Sequence, residues 1–369
     1  MAKDSSSNEK YSVVIIGGGP AGIATALTLN ALGISNCVVD AQASPNRKYG
    51  EALPPNAKPV LKQLGIQSLV EHNNHLSYYG NQTSWGSNQM NTKEFISELH
   101  GSGYLLDRLF FENQLWEYYR TQNGKIFNGF KVKEIEKKGH GHGIVLNSHN
   151  NNIHLSSDFI VDATGRKASI SQKLGAVKKE LDTQFAMTFT LELNKPITRN
   201  IIIESVPNGW WYASPNSNQT LTLMFFTLKK MIPKKGEVND FVEKEMKSST
   251  TISNFLNASK LKETEVKIIP AGTSRLDQPY GSNWVAVGDA ACAYDPISSY
   301  GITSALASGY YAGQAIASHL SGKKEAMISY RYIIENAFQA YCEKLINHYR
   351  EEKQWSESYY WKNRFSDKN

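Results

Sequence analysis

The stretch YSVVIIGGGPAG, residues 11–22, constrains this chain more than any other. An apolar run at 11–16 has the composition of a buried strand. It meets Gly17, Gly19 and Gly22 in G-x-G-x-x-G spacing, and an Ala/Leu-rich segment at 23–32 then reads as a helix closed by Gly33. SNCVVD, residues 35–40, supplies a second strand and completes a βαβ unit. In such a unit the first glycine permits the tight turn, the second admits a pyrophosphate to the backbone, and the third lets helix pack on strand. Pro20 and Ala21 fall inside the fingerprint and count among its candidate cofactor contacts. An anion held there meets the unpaired N–H groups and positive dipole end of the helix. Asp40, at the end of the second strand, is suited to accept hydrogen bonds from ribose hydroxyls.

Length sets how much can surround this unit. At about 150 residues per domain, 369 residues make roughly two units. Residues 180–270 change texture to strands, among them FAMTFTLEL, NIIIESV, GWWYASP and TLTLMFFTL. Elsewhere, 58–64, 104–120 and 302–319 have helical spacing, 127–136 and 143–146 read as strands, and GHGHG and SHNNNIHLSS read as turns. The expected architecture is α/β: a Rossmann-like nucleotide-binding domain from 1–80, 100–178 and 265–325, an inserted antiparallel sheet from 81–99 and 179–264 as substrate domain, and a helical C-terminal segment at 326–369. Forty basic against 34 acidic residues leave +6, too small and dispersed an excess to indicate nucleic acid. Cys37, Cys292 and Cys342 lie far apart, so neither a disulfide framework nor a zinc site follows, and no metal is expected. A polar leader without an apolar core, and no span of membrane length, point to a cytoplasmic protein.

Two later strand ends carry further motifs: Asp162-Ala-Thr-Gly165-Arg166 and Gly288-Asp289, the latter followed by Asp295-Pro296 and Gly301. Taken with the fingerprint, these resemble the two-domain FAD-dependent monooxygenases, the superfamily of p-hydroxybenzoate hydroxylase and the flavin-dependent halogenases. The resemblance implies FAD, with Asp162, Gly165, Gly288, Asp289, Pro296, Gly301 and Ile302 as contacts and the Asp289 carboxylate on the ribityl chain. It places the N-terminus of the helix that opens near Gly301 against the isoalloxazine N1–C2=O edge, where its dipole would stabilise anionic reduced flavin. It further implies O2 as co-substrate and, since no second G-x-G-x-x-G exists, electrons from transiently docked NAD(P)H or from a separate flavin reductase. The disulfide-reductase branch is excluded by the lack of a redox cysteine pair.

RKYGEALPP, residues 47–55, resembles the Gly-Glu motif of halogenases and related reductases and hydroxylases. That likeness puts Arg47 or Lys48 near the phosphate or adenosine end, and the Gly50-Glu51 turn along the flavin. LLDR at 105–108 likewise makes Arg108 a candidate FAD contact. The halogenase pattern then fails at three points. Trp-x-Trp-x-Ile-Pro becomes Gly209-Trp-Trp-Tyr-Ala-Ser-Pro215, with Tyr212 for the second Trp and Ser214 for Ile. No lysine lies between Leu64 and Met90, and Tyr300 precedes Gly301 where a halide site prefers a small residue. GEALPP, GWWYASP and DPISSYGI are instead similar to the flavoproteins that mature cysteine tryptophylquinone oxidases by oxygenating a tryptophan of a precursor protein. The implied partner is a quinoprotein oxidase precursor. Glu51, Tyr212 and Tyr300 are the candidate catalytic neighbours of the flavin. Competing readings are a hydroxylase of a small aromatic, a halogenase-like or reductase-like enzyme, and a flavin-bound chaperone of a precursor. The aromatic stretch 355–361 reads as core.

Overall fold

The computed structural model describes residues 8–148, 151–194, 197–216, 219–258 and 264–364. The polar leader through residue 7, the centre of the expected turn at 149–150 and the tail beyond 364 lie outside these, as do short stretches of the inserted segment.

An eight-stranded sheet is built around Asn8–Ile16, which pairs in parallel with Asn36–Asp40 on one side and Asn151–Asp162 on the other. Trp284–Ala286 and Lys125–Asn128 extend it outward, again in parallel. Val13 to Ile15, Val38 and Phe159 to Val161 are buried, as a sheet covered on both faces requires. The helices Pro20–Ala31 and Gly301–Leu320 pack against each other beside it. Register sets Ile16 opposite both Val39 and Asp162. The carboxyl ends of these strands therefore open at one level, where open α/β sheets bind their ligands.

Three local expectations shift. The helix expected over 104–120 runs instead from Arg108 to Thr121, because Gly103–Leu105 pairs with Ala52–Leu53 and Asp107 caps the helix, accepting from the Phe110 N–H at 3.0 Å. The strand expected over 127–136 divides at Gly129 (φ 79°) into Lys125–Asn128 and Lys131–Lys138, which join different neighbours. The expected turn SHNNNIHLSS is mostly strand: Asn151–Asp162 pairs antiparallel with Gly141–Ser148, burying Leu155 and His142. The Gly-rich interruption before it shrinks to the turn around Gly139, and burial holds His142 below the ordinary histidine range.

The second sheet has seven strands in the order 267–270, 184–192, 220–228, 209–215, 200–206, 80–84, 91–94. It is antiparallel except where Asn200–Val206 meets Gly80–Ser84 in parallel. Side chains alternate across it. Trp210, Tyr212, Met224 and Phe226 face the nucleotide-binding unit, whereas Trp211, Ala213, Leu223 and Phe225 face a separate core beneath the helix Val238–Lys247. The long helix Glu325–Glu351 joins both units. Its Met327, Tyr330, Ile334 and Phe338 enter the nucleotide-binding core, and Leu345 and Tyr349 enter the core on the inner face of the second sheet. Tyr360, in the stretch expected to be core, is fully buried there. Among the described residues no helix is long and apolar enough to cross a membrane.

Candidate flavin site

The glycine fingerprint is a backbone cradle. A Cβ on Gly17, whose φ is 115°, would lie 2.1 Å from the Ala163 carbonyl oxygen, and one on Gly22 would lie 1.9 Å from that of Gly17. Gly19 differs. The nearest atom to its missing Cβ is Lys48 Nζ, 4.0 Å away, so this face of the loop is open and the atom beyond it is cationic. The helix Pro20–Ala31 begins here, with its N–H groups and dipole directed at that opening. Trp116 Nε1 donates to the Gly18 carbonyl at 2.6 Å and holds the loop from beneath. The Asp40 carboxylate accepts from the Gly18 N–H at 2.7 Å and from the Gln42 N–H at 2.8 Å, leaving lone pairs for further donors.

Glu112 had no motif to announce it. It is buried on the helix Arg108–Thr121 and takes Lys48 Nζ on one oxygen and Arg108 Nη2 on the other, both at 2.5 Å. Although burial opposes it, the Arg108 and Lys48 charges hold this carboxyl below the usual range. Arg108 also donates to the Gly50 carbonyl at 2.6 Å, and its Nε is buried without a hydrogen-bond partner. Lys48 stands beside Gly19, and Glu112 joins it to Arg108 at the Gly50 turn. Arg47 turns away, donating to Thr190 Oγ1 of the second sheet at 2.8 Å. The only available signal for Glu112 was its place one helical turn after Arg108.

At the far end, Asp162 is fully buried and works within the chain. One oxygen accepts from the N–H and hydroxyl of Thr164, the other from the N–H groups of Ile170 and Ser171. It shapes the turn bearing Gly165 and Arg166. Arg166 Nε lies 3.3 Å from the partly exposed Asp289 Oδ2, and its Nη2 donates to the Tyr294 carbonyl at 2.7 Å. Gly288, with φ 57°, passes close to Ala21 of the first helix, so both strand ends converge on the cradle. Pro296 opens a short 3-10 turn and Ser299 takes a left-handed conformation (φ 52°) before Gly301 starts its helix. Ile302 is buried, and nothing lies within 4 Å of a Cβ added at Gly301.

Glu51 and Tyr212 are both buried where the second sheet faces this turn. Glu51 accepts from the Thr222 hydroxyl at 3.3 Å, while its other oxygen is buried without a partner. Burial, only partly offset by Arg108, pushes its carboxyl up to about 7. Burial also pushes the Tyr212 phenol well above its ordinary value. Trp210, Tyr212 and Ser214, the positions matching Trp-x-Trp-x-Ile, thus share the inner face. Tyr300 is not with them. It is 42% exposed and accepts a hydrogen bond from Asn56 Nδ2 at 3.0 Å.

The open side of Gly19, the Lys48–Arg108 pair, the unpartnered Arg108 Nε and the orphaned Glu51 oxygen suit a long, polar, anionic cofactor with a planar end. Such a cradle at a helix N-terminus is of the kind that binds a dinucleotide cofactor. The chain belongs to the FAD-binding-domain family, whose model matches residues 10–339. It is 25% identical to the putative FAD-dependent oxidoreductase LodB of Marinomonas mediterranea, over 96% of this chain and 97% of that one. Its fold is shared with the myxobacterial chondrochloren halogenase CndH (TM-score 0.88, 19% identity, 98% of this chain and 87% of that one). It is shared also with QhpG, a peptidyl tryptophan dihydroxylase essential for tryptophylquinone cofactor biogenesis (TM-score 0.81, 23% identity, 98% and 80%). The protein is accordingly an FAD-dependent oxidoreductase.

Proposed function

We propose that this enzyme is a monooxygenase that hydroxylates an aromatic substrate, specifically a tryptophan side chain within a quinoprotein oxidase precursor. The observation that carries this reading is the buried Glu51 carboxyl, poised near neutrality beside the Tyr212 phenol on the inner face of the second sheet. FAD, once reduced, supplies the activation of O2; electrons come from NAD(P)H or a separate flavin reductase. The chain's own groups then have defined tasks. Gly19, Lys48 and Arg108 would hold the pyrophosphate, Asp40 the adenosine ribose and Asp289 the ribityl chain. A carboxyl near 7 can accept the proton released when an aromatic carbon is oxygenated, or hold the indole N–H. The Tyr212 phenol stays protonated and donates. Thr222 and Ser214 add polar groups to a wall otherwise made of Trp210, Met224 and Phe226, a lining suited to an indole. The absence of lysine between Leu64 and Met90 and the Tyr212 replacement argue against carriage of an activated halogen. The likeness to QhpG, a peptidyl tryptophan dihydroxylase, supports a protein substrate.

The test is purified protein with reductant, O2 and an unmodified quinoprotein precursor, followed by mass spectrometry of its tryptophan peptide. Oxygen addition at that tryptophan is expected. Turnover of free aromatic compounds with an unchanged precursor would reassign the enzyme to small molecules, and a chloride-dependent product to halogenation. Retention of the precursor at background O2 consumption would leave a chaperone.

A further inference from the structure

Asp295 lies just after the strand Cys292–Ala293 and caps the 3-10 turn Pro296–Ser298, and it is completely buried. Its Oδ1 accepts from the Ile297 N–H at 2.9 Å, which fixes the start of the turn. Its Oδ2 accepts from Gln184 Nε2 at 3.1 Å and from the Tyr349 hydroxyl at 3.0 Å, and it also receives Nη2 of Arg364. Arg364 follows the last helix, Tyr359–Asn363, and is 2% exposed. Its Nη1 pairs with Asp182 Oδ2 at 3.1 Å, and its guanidinium lies 4.7 Å from the centre of the Tyr349 ring. Gln184 Oε1 in turn accepts from Tyr360 at 2.6 Å and from Trp210 Nε1 at 3.3 Å. One guanidinium thus stands between two buried acids, Asp295 before the Pro296 turn and Asp182 just before the strand Gln184–Glu192 of the second sheet. A buried carboxylate keeps its charge only when paired and hydrogen-bonded.

We propose that Arg364 is a positioning residue for the flavin: by bridging Asp295 and Asp182 it holds the Pro296–Gly301 turn and the helix N-terminus beyond it in register with the cofactor. The chain reaches this site from its far end, after the long helix Glu325–Glu351 has crossed both units. A secondary anchor lies on the way. Glu352 is buried, and its Oε2 accepts from the Gly86 N–H at 2.6 Å and from the Ser205 hydroxyl. Burial and the Asp182 charge already push the Asp295 carboxyl up, and Arg364 opposes them; without it Asp295 would face Asp182, Gln184, Tyr341, Tyr349 and Tyr360 with no cation beside it. A protonated Asp295 loses part of its hold on the Ile297 N–H and becomes a donor that must compete with Tyr349. The inference rests on the Gly301 helix facing the flavin, not on the identity of the substrate.

The test uses Arg364→Gln, Arg364→Lys and the double variant Asp182→Asn with Arg364→Gln in FAD-loaded enzyme. It reads FAD dissociation, the midpoint potential of the bound flavin and the dependence of that potential on pH. Arg364→Gln should weaken FAD about tenfold or more. It should also make the potential more negative, since a displaced helix dipole stabilises reduced flavin less, and add a proton-linked step to its pH profile. Lysine should restore part of all three, and the double variant should recover the potential by removing the second acid. If Arg364→Gln does not fold, the lysine and double variants carry the same readings. Wild-type potential, pH profile and FAD affinity in a folded Arg364→Gln would overturn the proposal. Loss of thermal stability alone, with the flavin readings unchanged, would reduce Arg364 to a structural anchor and overturn it equally. Failure to oxygenate a tryptophan precursor would leave these flavin readings untouched, so the two proposals fail separately.

Discussion

In the eight-stranded sheet the functional atoms are largely backbone. Gly17, Gly19 and Gly22 act by lacking a side chain, and the helix N-terminus acts through its N–H groups. In the seven-stranded sheet they are side chains, projected from alternate positions of 209–215 and 220–228 toward a carboxyl that comes from elsewhere in the chain. The first arrangement depends on spacing over a dozen residues and tolerates few substitutes. The second depends on which distant strands pair, and its members need only be the right size. Cofactor capture should therefore be brittle to substitution in the first region, while in the second substitution should alter stability and chemistry and leave the fingerprint intact.

The largest effect is expected at Gly22. A valine there would drive Cβ to 1.9 Å from the Gly17 carbonyl, a clash with backbone that must displace the loop at a cost of about 3 kcal/mol or more. Gly22→Val should emerge colourless and reject added FAD. Gly19→Val, whose side chain meets only Lys48 Nζ nearby, should keep its unfolding midpoint while losing FAD affinity. Equal unfolding midpoints for the two variants would remove the distinction between a packing glycine and a ligand-facing one. In the second region, Trp210→Ala should cost about 3–5 kcal/mol, read from denaturant midpoints. Trp210 is fully buried and stacks on Phe226, with ring centres 4.0 Å apart and 14° between planes. Its FAD content at low temperature should stay near wild type, and a colourless Trp210→Ala would show that the second sheet helps to form the cradle.

That asymmetry also explains what could be read from the sequence. The βαβ unit, the FAD family and the helix Gly301–Leu320 were legible because each rests on neighbours in the chain: a glycine spacing, an apolar run, a strand-end acid. Glu51 could be tied to the site through its Gly-Glu motif, but its raised pKa could not, since that comes from burial, which only tertiary packing creates. Glu112 and Arg364 were invisible for a related reason. A charged residue on a helical face reads as solvated, and only tertiary packing reveals that it sits between ionic partners. Tyr300 illustrates the opposite error of proximity. Adjacent to Gly301 in sequence, it is directed outward to Asn56 because the left-handed Ser299 reverses the chain just before it.

Glu51→Gln pits stability against chemistry. The native carboxyl lies near 7 against a reference of 4.5, so folding favours its protonated form. Below about pH 4.5 both states are protonated and the shift costs nothing. Between 4.5 and 7 the unfolded state ionises while the native state does not, so stability is lost as pH rises, and by pH 8 the penalty reaches about 3 kcal/mol. The variant should therefore gain up to that amount over wild type at pH 8, gain little at pH 4, and lose oxygenation at both. A variant that is no more stable at pH 8, or one that keeps full turnover, would withdraw the neutral-carboxyl account.

The smallest effect should fall on Asp40, and it asks whether this acid serves ligand or loop. Its two bonds, to the N–H groups of Gly18 and Gln42, already brace the cradle, so alanine removes a brace as well as a ribose acceptor. A loss of about tenfold in FAD affinity, about 1.4 kcal/mol, is expected. The ligands separate the two roles. ADP-ribose carries the adenosine ribose that Asp40 would hold, whereas FMN lacks it. If the acid binds ribose, Asp40→Ala should weaken ADP-ribose as much as FAD and leave FMN unaffected. Asp40→Asn, which keeps one oxygen as acceptor, should fall between. Were FMN weakened to the same degree, the residue would act by shaping the loop, and the nucleotide end of the site would rest on Gly19, Lys48 and Arg108 alone.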